Sequence, residues 1–172
     1  MNPCELVDFI FREYNKGISR SRGYIKYMTH PFIISPDQQA ALERLEVEAL
    51  ILFGSYAQGI AGPMSDVDVG ILLSNPHVLN DHTQKHQLYD ALYDILSPVA
   101  GNAIKRLCDI DIVFLQDQSV NLQLKYHVAK YGVTLYEKDI RSLANFREYV
   151  MERYADFAPL RRAFTHAILA RI

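Results

Sequence analysis

Residues 47–73, VEALILFGSYAQGIAGPMSDVDVGILL, decide how this chain is read. An apolar run, Ala49-Leu50-Ile51-Leu52-Phe53, stops at Gly54-Ser55, and ten residues intervene before Asp66-Val67-Asp68-Val69 leads into a second aliphatic run. Two strands joined by a Gly-Ser turn and a short connector are the simplest reading. Side chains alternate along a strand, so Asp66, Asp68 and Gly70 are expected on one face and Val67, Val69 and Ile71 on the other. Carboxylates two residues apart stand about 6.6 Å apart along such a strand, a separation from which both can reach a pair of cations. Without a cation the arrangement is unfavourable, because burial and like charge both oppose ionisation. Mg²⁺ reverses that sign and bridges carboxylates to substrate phosphates. Gly54 lets backbone approach a ligand, and Ser55 opening a helix points N–H groups at an anion. A phosphate cradle followed by paired carboxylates points to phosphoryl or nucleotidyl transfer.

A third acid is expected from Cys108-Asp109-Ile110-Asp111-Ile112-Val113-Phe114-Leu115, where Ile110, Ile112 and Phe114 face one way and Asp109, Asp111 and Val113 the other. It can serve as ligand and as the base that accepts a proton from an attacking hydroxyl.

Gly54-Ser55, ten residues, then Asp66-Val67-Asp68 with Ser65 ahead of the acids resembles the signature of the DNA polymerase beta-like nucleotidyltransferases, whose small members are the minimal nucleotidyltransferases. The resemblance runs from about residue 34 onward. Gly132-Val133-Thr134-Leu135-Tyr136-Glu137 and Tyr154-Ala155-Asp156-Phe157 look like MntA-type antitoxins, which are paired with HEPN-domain ribonuclease toxins. It implies a small mixed α/β (α+β) sheet flanked by helices, with C-terminal helices. It implies Asp66, Asp68 and Asp111 as catalytic acids holding two Mg²⁺ ions, Asp109 being the alternative third acid. It further implies Gly54, Ser55 and Ser65 on the nucleotide, ATP as substrate, and AMP transfer to a toxin tyrosine. Relatives often carry a basic residue where this chain has Gln58, so a phosphate contact is expected from elsewhere, with Arg20, Arg22 and Lys26 as candidates. Two other readings stay open: an antitoxin acting by occlusion alone, and a small-molecule nucleotidyltransferase, which usually needs more chain for its acceptor.

Around this centre, 172 residues and a net charge of −2 suit one domain without the basic field of a duplex-binding surface, so no direct nucleic-acid binding is expected. Cys4 and Cys108 make neither disulfide framework nor metal spacing, and no apolar run approaches the roughly 20 residues of a membrane span. A soluble, cytoplasmic protein is expected. We divide the chain into an N-terminal helix-and-loop extension (1–34), the nucleotidyltransferase core (35–137) and a C-terminal helical segment of the same domain (138–172). Asn2-Pro3-Cys4-Glu5 reads as a helix start and Gly17 as its end, with residues 18–34 expected to form a loop; Met28 is a candidate start for shorter relatives. Ser35-Pro36-Asp37-Gln38 is a capping box. After a break at Ser74-Asn75-Pro76, a helix uses Leu88, Ala91, Leu92, Ile95 and Leu96 and is expected to close at Pro98 and Gly101-Asn102. Residues 119–131 read as a helix, 133–136 as a last strand, and 139–172 as two helices split at Pro159.

Two motifs compete. Arg161 and His166 match the Arg-x4-His spacing of HEPN ribonucleases, yet five positions apart they stand about 140° round a helix, and a strand-free fold would be needed. His82 and His86 have zinc-like spacing but no third ligand nearby.

Overall fold

The computed structural model describes residues 32–105 and 108–169. The expected N-terminal helix, Cys4, Arg20, Arg22, Lys26 and Met28 lie outside the described residues. Ser35 caps α1 (Pro36–Arg44) as predicted, its Oγ accepting from the Gln38 N–H while the Gln38 side chain accepts from the Ser35 N–H. The chain then runs through β1 (Val47–Phe53), the one-turn helix α2 (Gly54–Gln58), β2 (Val67–Leu73), a 3-10 turn (Pro76–Asn80) and α3 (His82–Ile104). It continues through β3 (Ile110–Phe114), α4 (Leu122–Tyr131), β4 (Val133–Glu137), α5 (Ile140–Asp156) and α6 (Ala158–Leu169).

The four strands form one sheet in the order β3-β2-β1-β4. β1 pairs antiparallel with β2 and with β4, whereas β2 and β3 are parallel. Parallel neighbours need a long crossover, and α3 supplies it. The expectation of a small mixed sheet flanked by helices is met.

Alternation sorts the sheet into two apolar layers. Leu50, Leu52, Val67, Val69 and Ile71 pack with Leu92, Leu96 and Val99 of α3. Ala49, Ile51, Phe53 and Leu72 face the other way, against Leu115, Val128 of α4 and Leu143 of α5. No polar or charged residue is buried among the described residues. Gly132 is required between α4 and β4: a Cβ there would lie 2.4 Å from the Val128 carbonyl oxygen and 2.5 Å from Ile51 Cγ2.

Three boundaries differ from expectation. Pro98 lies inside α3, which continues to Ile104 and ends at Lys105 with φ 57°. Proline costs a helix one hydrogen bond, but Leu96, Val99 and Ala100 are buried on either side of it, and that burial holds the helix past the break. α4 starts at Leu122 rather than at 119, because Asn121 Oδ1 caps the Leu124 N–H and Asp117 Oδ1 binds Ser119 into a turn. The C-terminal helices part at Phe157, leaving Pro159 in the first turn of α6, where its missing N–H costs nothing.

Candidate active site

Gly54 ends β1 with φ +67°. A Cβ built on it would lie 2.0 Å from Asp68 Oδ2, so the Asp68 carboxylate occupies the space a side chain would need. Strand register creates this contact: Asp68 lies opposite Phe53 across the antiparallel pair and opposite Asp111 across the parallel one. Asp68 shares its parity with Gly70 and Leu72, and Asp111 shares its with Val113. Leu72 and Val113 pack into the α4–α5 layer, so both carboxylates belong to that side of the sheet.

Asp66 precedes β2 instead of lying in it and is exposed. Its charge still acts on Asp68. The Asp68 carboxyl is raised above its ordinary value of 3.8 by burial first, then by Asp111 and by Asp66. Asp109 is not among the charges acting on Asp68. It sits before β3, and its carbonyl accepts the Val67 N–H at 3.0 Å. Asp111 also bears on Tyr89 of α3, whose phenol is raised by burial first and by Asp111 next.

Ser55 is half-buried in the first turn of α2, and its carbonyl accepts from the Ile60 N–H at 3.0 Å. Ser65 Oγ accepts the Gly62 N–H at 2.9 Å, tying the turn that delivers Asp66. Gln58 and Gly54 line one cleft with Asp68; it holds about 410 Å³ and is walled on the far side by Gln123, His127 and Tyr131 of α4. That volume lies within the 300–1,000 Å³ range of small-ligand clefts. A larger depression of about 650 Å³, lined in part by Arg44, Glu46, His77 and Asp81, contains none of the candidate catalytic acids, whereas the smaller cleft contains Asp68. Chemistry therefore selects the smaller cleft.

Sequence reading missed its α4 wall and Tyr89. The signal was present: positions 123, 127 and 131 recur every four residues along α4. Of the competing motifs, His86 faces Asp90 at 3.6 Å on exposed surface, and Arg161 is engaged over the Tyr154 ring at 3.6 Å. The four-stranded sheet removes the strand-free alternative.

Among the described residues no three His, Cys, Asp or Glu side chains are gathered as a ready metal site, and like-charged carboxylates have reason to stand apart. The donor set nevertheless suits Mg²⁺, which prefers one or two carboxylates plus substrate oxygens over an all-protein cage.

The family model "Polymerase beta, Nucleotidyltransferase" matches residues 38–141. The chain belongs to this family. As a nucleotidyltransferase it carries, within the matched span, the glycine turn and all the candidate acids. No curated protein matches. Among solved structures, a chain of a toxin–antitoxin complex with AMP-PNP superposes with a TM-score of 0.55 at 21% identity, covering 76% of this chain and 98% of that one. A chain of the tri-AMPylated Shewanella oneidensis HEPN toxin in complex with MNT antitoxin gives 0.51 at 18%, over 77% and 96%. A chain of the MntA–HepT toxin–antitoxin gives 0.50 at 17%, over 78% and 99%. At these identities the likeness is one of fold. No helix among the described residues is long and apolar enough to cross a membrane.

Proposed function

We propose that this nucleotidyltransferase is an MntA-type antitoxin that transfers AMP from ATP to a tyrosine hydroxyl of a partner HEPN ribonuclease toxin, neutralising it. The observation that carries this reading is the carboxylate of Asp68 lodged in the void of Gly54, with Asp111 beside it in register and Asp66 within electrostatic reach. The similarity in fold to complexes described as an AMPylated HEPN toxin with an MNT antitoxin, and as a toxin–antitoxin with AMP-PNP, supports the acceptor and the nucleotide.

Asp66, Asp68 and Asp111 would hold two Mg²⁺ ions. When bound, the metal neutralises triphosphate charge and lowers the pKa of the acceptor hydroxyl. Gly54 and Ser55 receive the triphosphate tail, and Ser65 fixes the turn beneath it. The hydroxyl oxygen attacks the α-phosphorus, its proton passes to Asp111, and pyrophosphate leaves. Positioning and electrostatics supply most of the rate in such transfers, so few side chains are needed. The setting we assign is the cytoplasm.

Intact mass spectrometry of the partner toxin tests this, after incubation with Mg²⁺ and each of the four triphosphates. One AMP-sized increment per modified tyrosine, with ATP, is expected. An unmodified toxin that is nevertheless inhibited would mean neutralisation by occlusion.

A further inference from the structure

The α4 wall of the cleft is more organised than exposed side chains usually are. Tyr154 Oη of α5 donates to Gln123 Oε1 at 3.0 Å, and Gln123 Nε2 meets His127 Nε2 at 2.8 Å. The amide nitrogen can only donate, so His127 Nε2 accepts and the neutral ring carries its proton on Nδ1. The Tyr154 ring is itself clamped. Tyr126 stacks on it at 3.7 Å and 13°, and the Arg161 guanidinium lies 3.6 Å from its centre. Two groups that close cannot share one face, so the ring lies between them. The orientation of the Gln123 amide in the cleft is thus set by α5 and α6.

Once these two bonds are made, Gln123 keeps one N–H and one oxygen lone pair. The adjacent amino donor and ring-nitrogen acceptor of adenine take both, the pairing by which glutamine reads that base; the same edge of guanine offers two acceptors. The rings of His127 and Tyr131, 5.8 Å apart between centres, and the apolar Phe53, Ala57 and Leu124 complete a lining suited to a flat heterocycle.

We propose that Gln123 is the base-reading residue of the nucleotide site, selecting adenine, and that Tyr154 is its positioning residue. This rests on the nucleotidyltransferase reading of the Gly54–Asp68 cleft. Equilibrium dialysis with Mg²⁺ and ATP, GTP, CTP, UTP or inorganic tripolyphosphate tests it on the full chain. The wild type should prefer ATP to GTP by about tenfold or more, the scale of one bidentate base contact. Gln123→Leu should bring the two within about twofold while leaving tripolyphosphate affinity unchanged. Tyr154→Phe, which keeps the stack but frees the amide to flip, should lose part of the preference. An ATP preference that survives Gln123→Leu, or equal binding of all four by the wild type, overturns the proposal alone. A wild type that binds neither nucleotide nor tripolyphosphate overturns the underlying reading with it.

Discussion

Asp68 is held where an isolated carboxylate is disfavoured, and the consequence has a definite sign. Its pKa is raised in the folded protein, so just above 3.8 the native state keeps a proton that the unfolded chain has released. Stability therefore falls as pH rises through that window, and the ionised carboxylate remains a cost at neutral pH. Asp68→Asn should raise Tm at pH 7 in metal-free buffer, lose that advantage below pH 4, and abolish transfer; thermal melts at the two pH values check it. Gly54→Ala acts on the same contact from the other side. The left-handed backbone at φ +67° disfavours a side chain, at about 1–2 kcal/mol, and the new methyl group must displace Asp68 Oδ2. Transfer should drop by about 100-fold, the scale of a misplaced catalytic group, with a milder loss in the melting curve.

At the scale of elements, α3 and the turn after β3 are joined by Lys85 and Asp117. The Lys85 hydrogen bond first, then the Ser119 N–H, hold the Asp117 carboxyl down to about 2. The linkage sign is opposite to that of Asp68: this contribution is complete above 3.8 and is lost as pH falls toward 2. Asp117→Asn should cost about 1 kcal/mol, the order of a single hydrogen bond, and its penalty in urea melts should shrink below pH 3. Leu92 is fully buried between α3 and the sheet, and Leu92→Ala should cost about 2–5 kcal/mol without selective loss at the active site.

For the whole molecule, the sheet was legible because two signals coincide in residues 47–73: aliphatic alternation, and a glycine turn at fixed distance from paired aspartates. Alternation also grouped Asp68 with Gly70. It could not show that β2 begins at Val67 and leaves Asp66 outside the ladder, since strand ends depend on the partner's hydrogen bonds. Helix α3 ran past Pro98 because burial against the sheet outweighs one lost bond, a balance that local sequence does not reveal. The α4 wall stayed hidden for a similar reason. Gln123 and His127 look like ordinary solvated positions until the fold sets them across from Asp68 and under Tyr154.

Transfer is proposed to depend on Asp68 in the void of Gly54, with Asp111 opposite it in register and Asp66 within electrostatic reach. Measuring the rate of AMP incorporation into the proposed toxin partner for Asp66→Asn, Asp68→Asn, Asp111→Asn and Asp109→Asn tests it most directly. The first three should lose about 100-fold or more, the scale at which removing one charge-stabilising group acts, while Asp109→Asn stays near the wild-type rate. Undiminished transfer by Asp68→Asn, or loss on changing Asp109 with Asp111 indifferent, would contradict it.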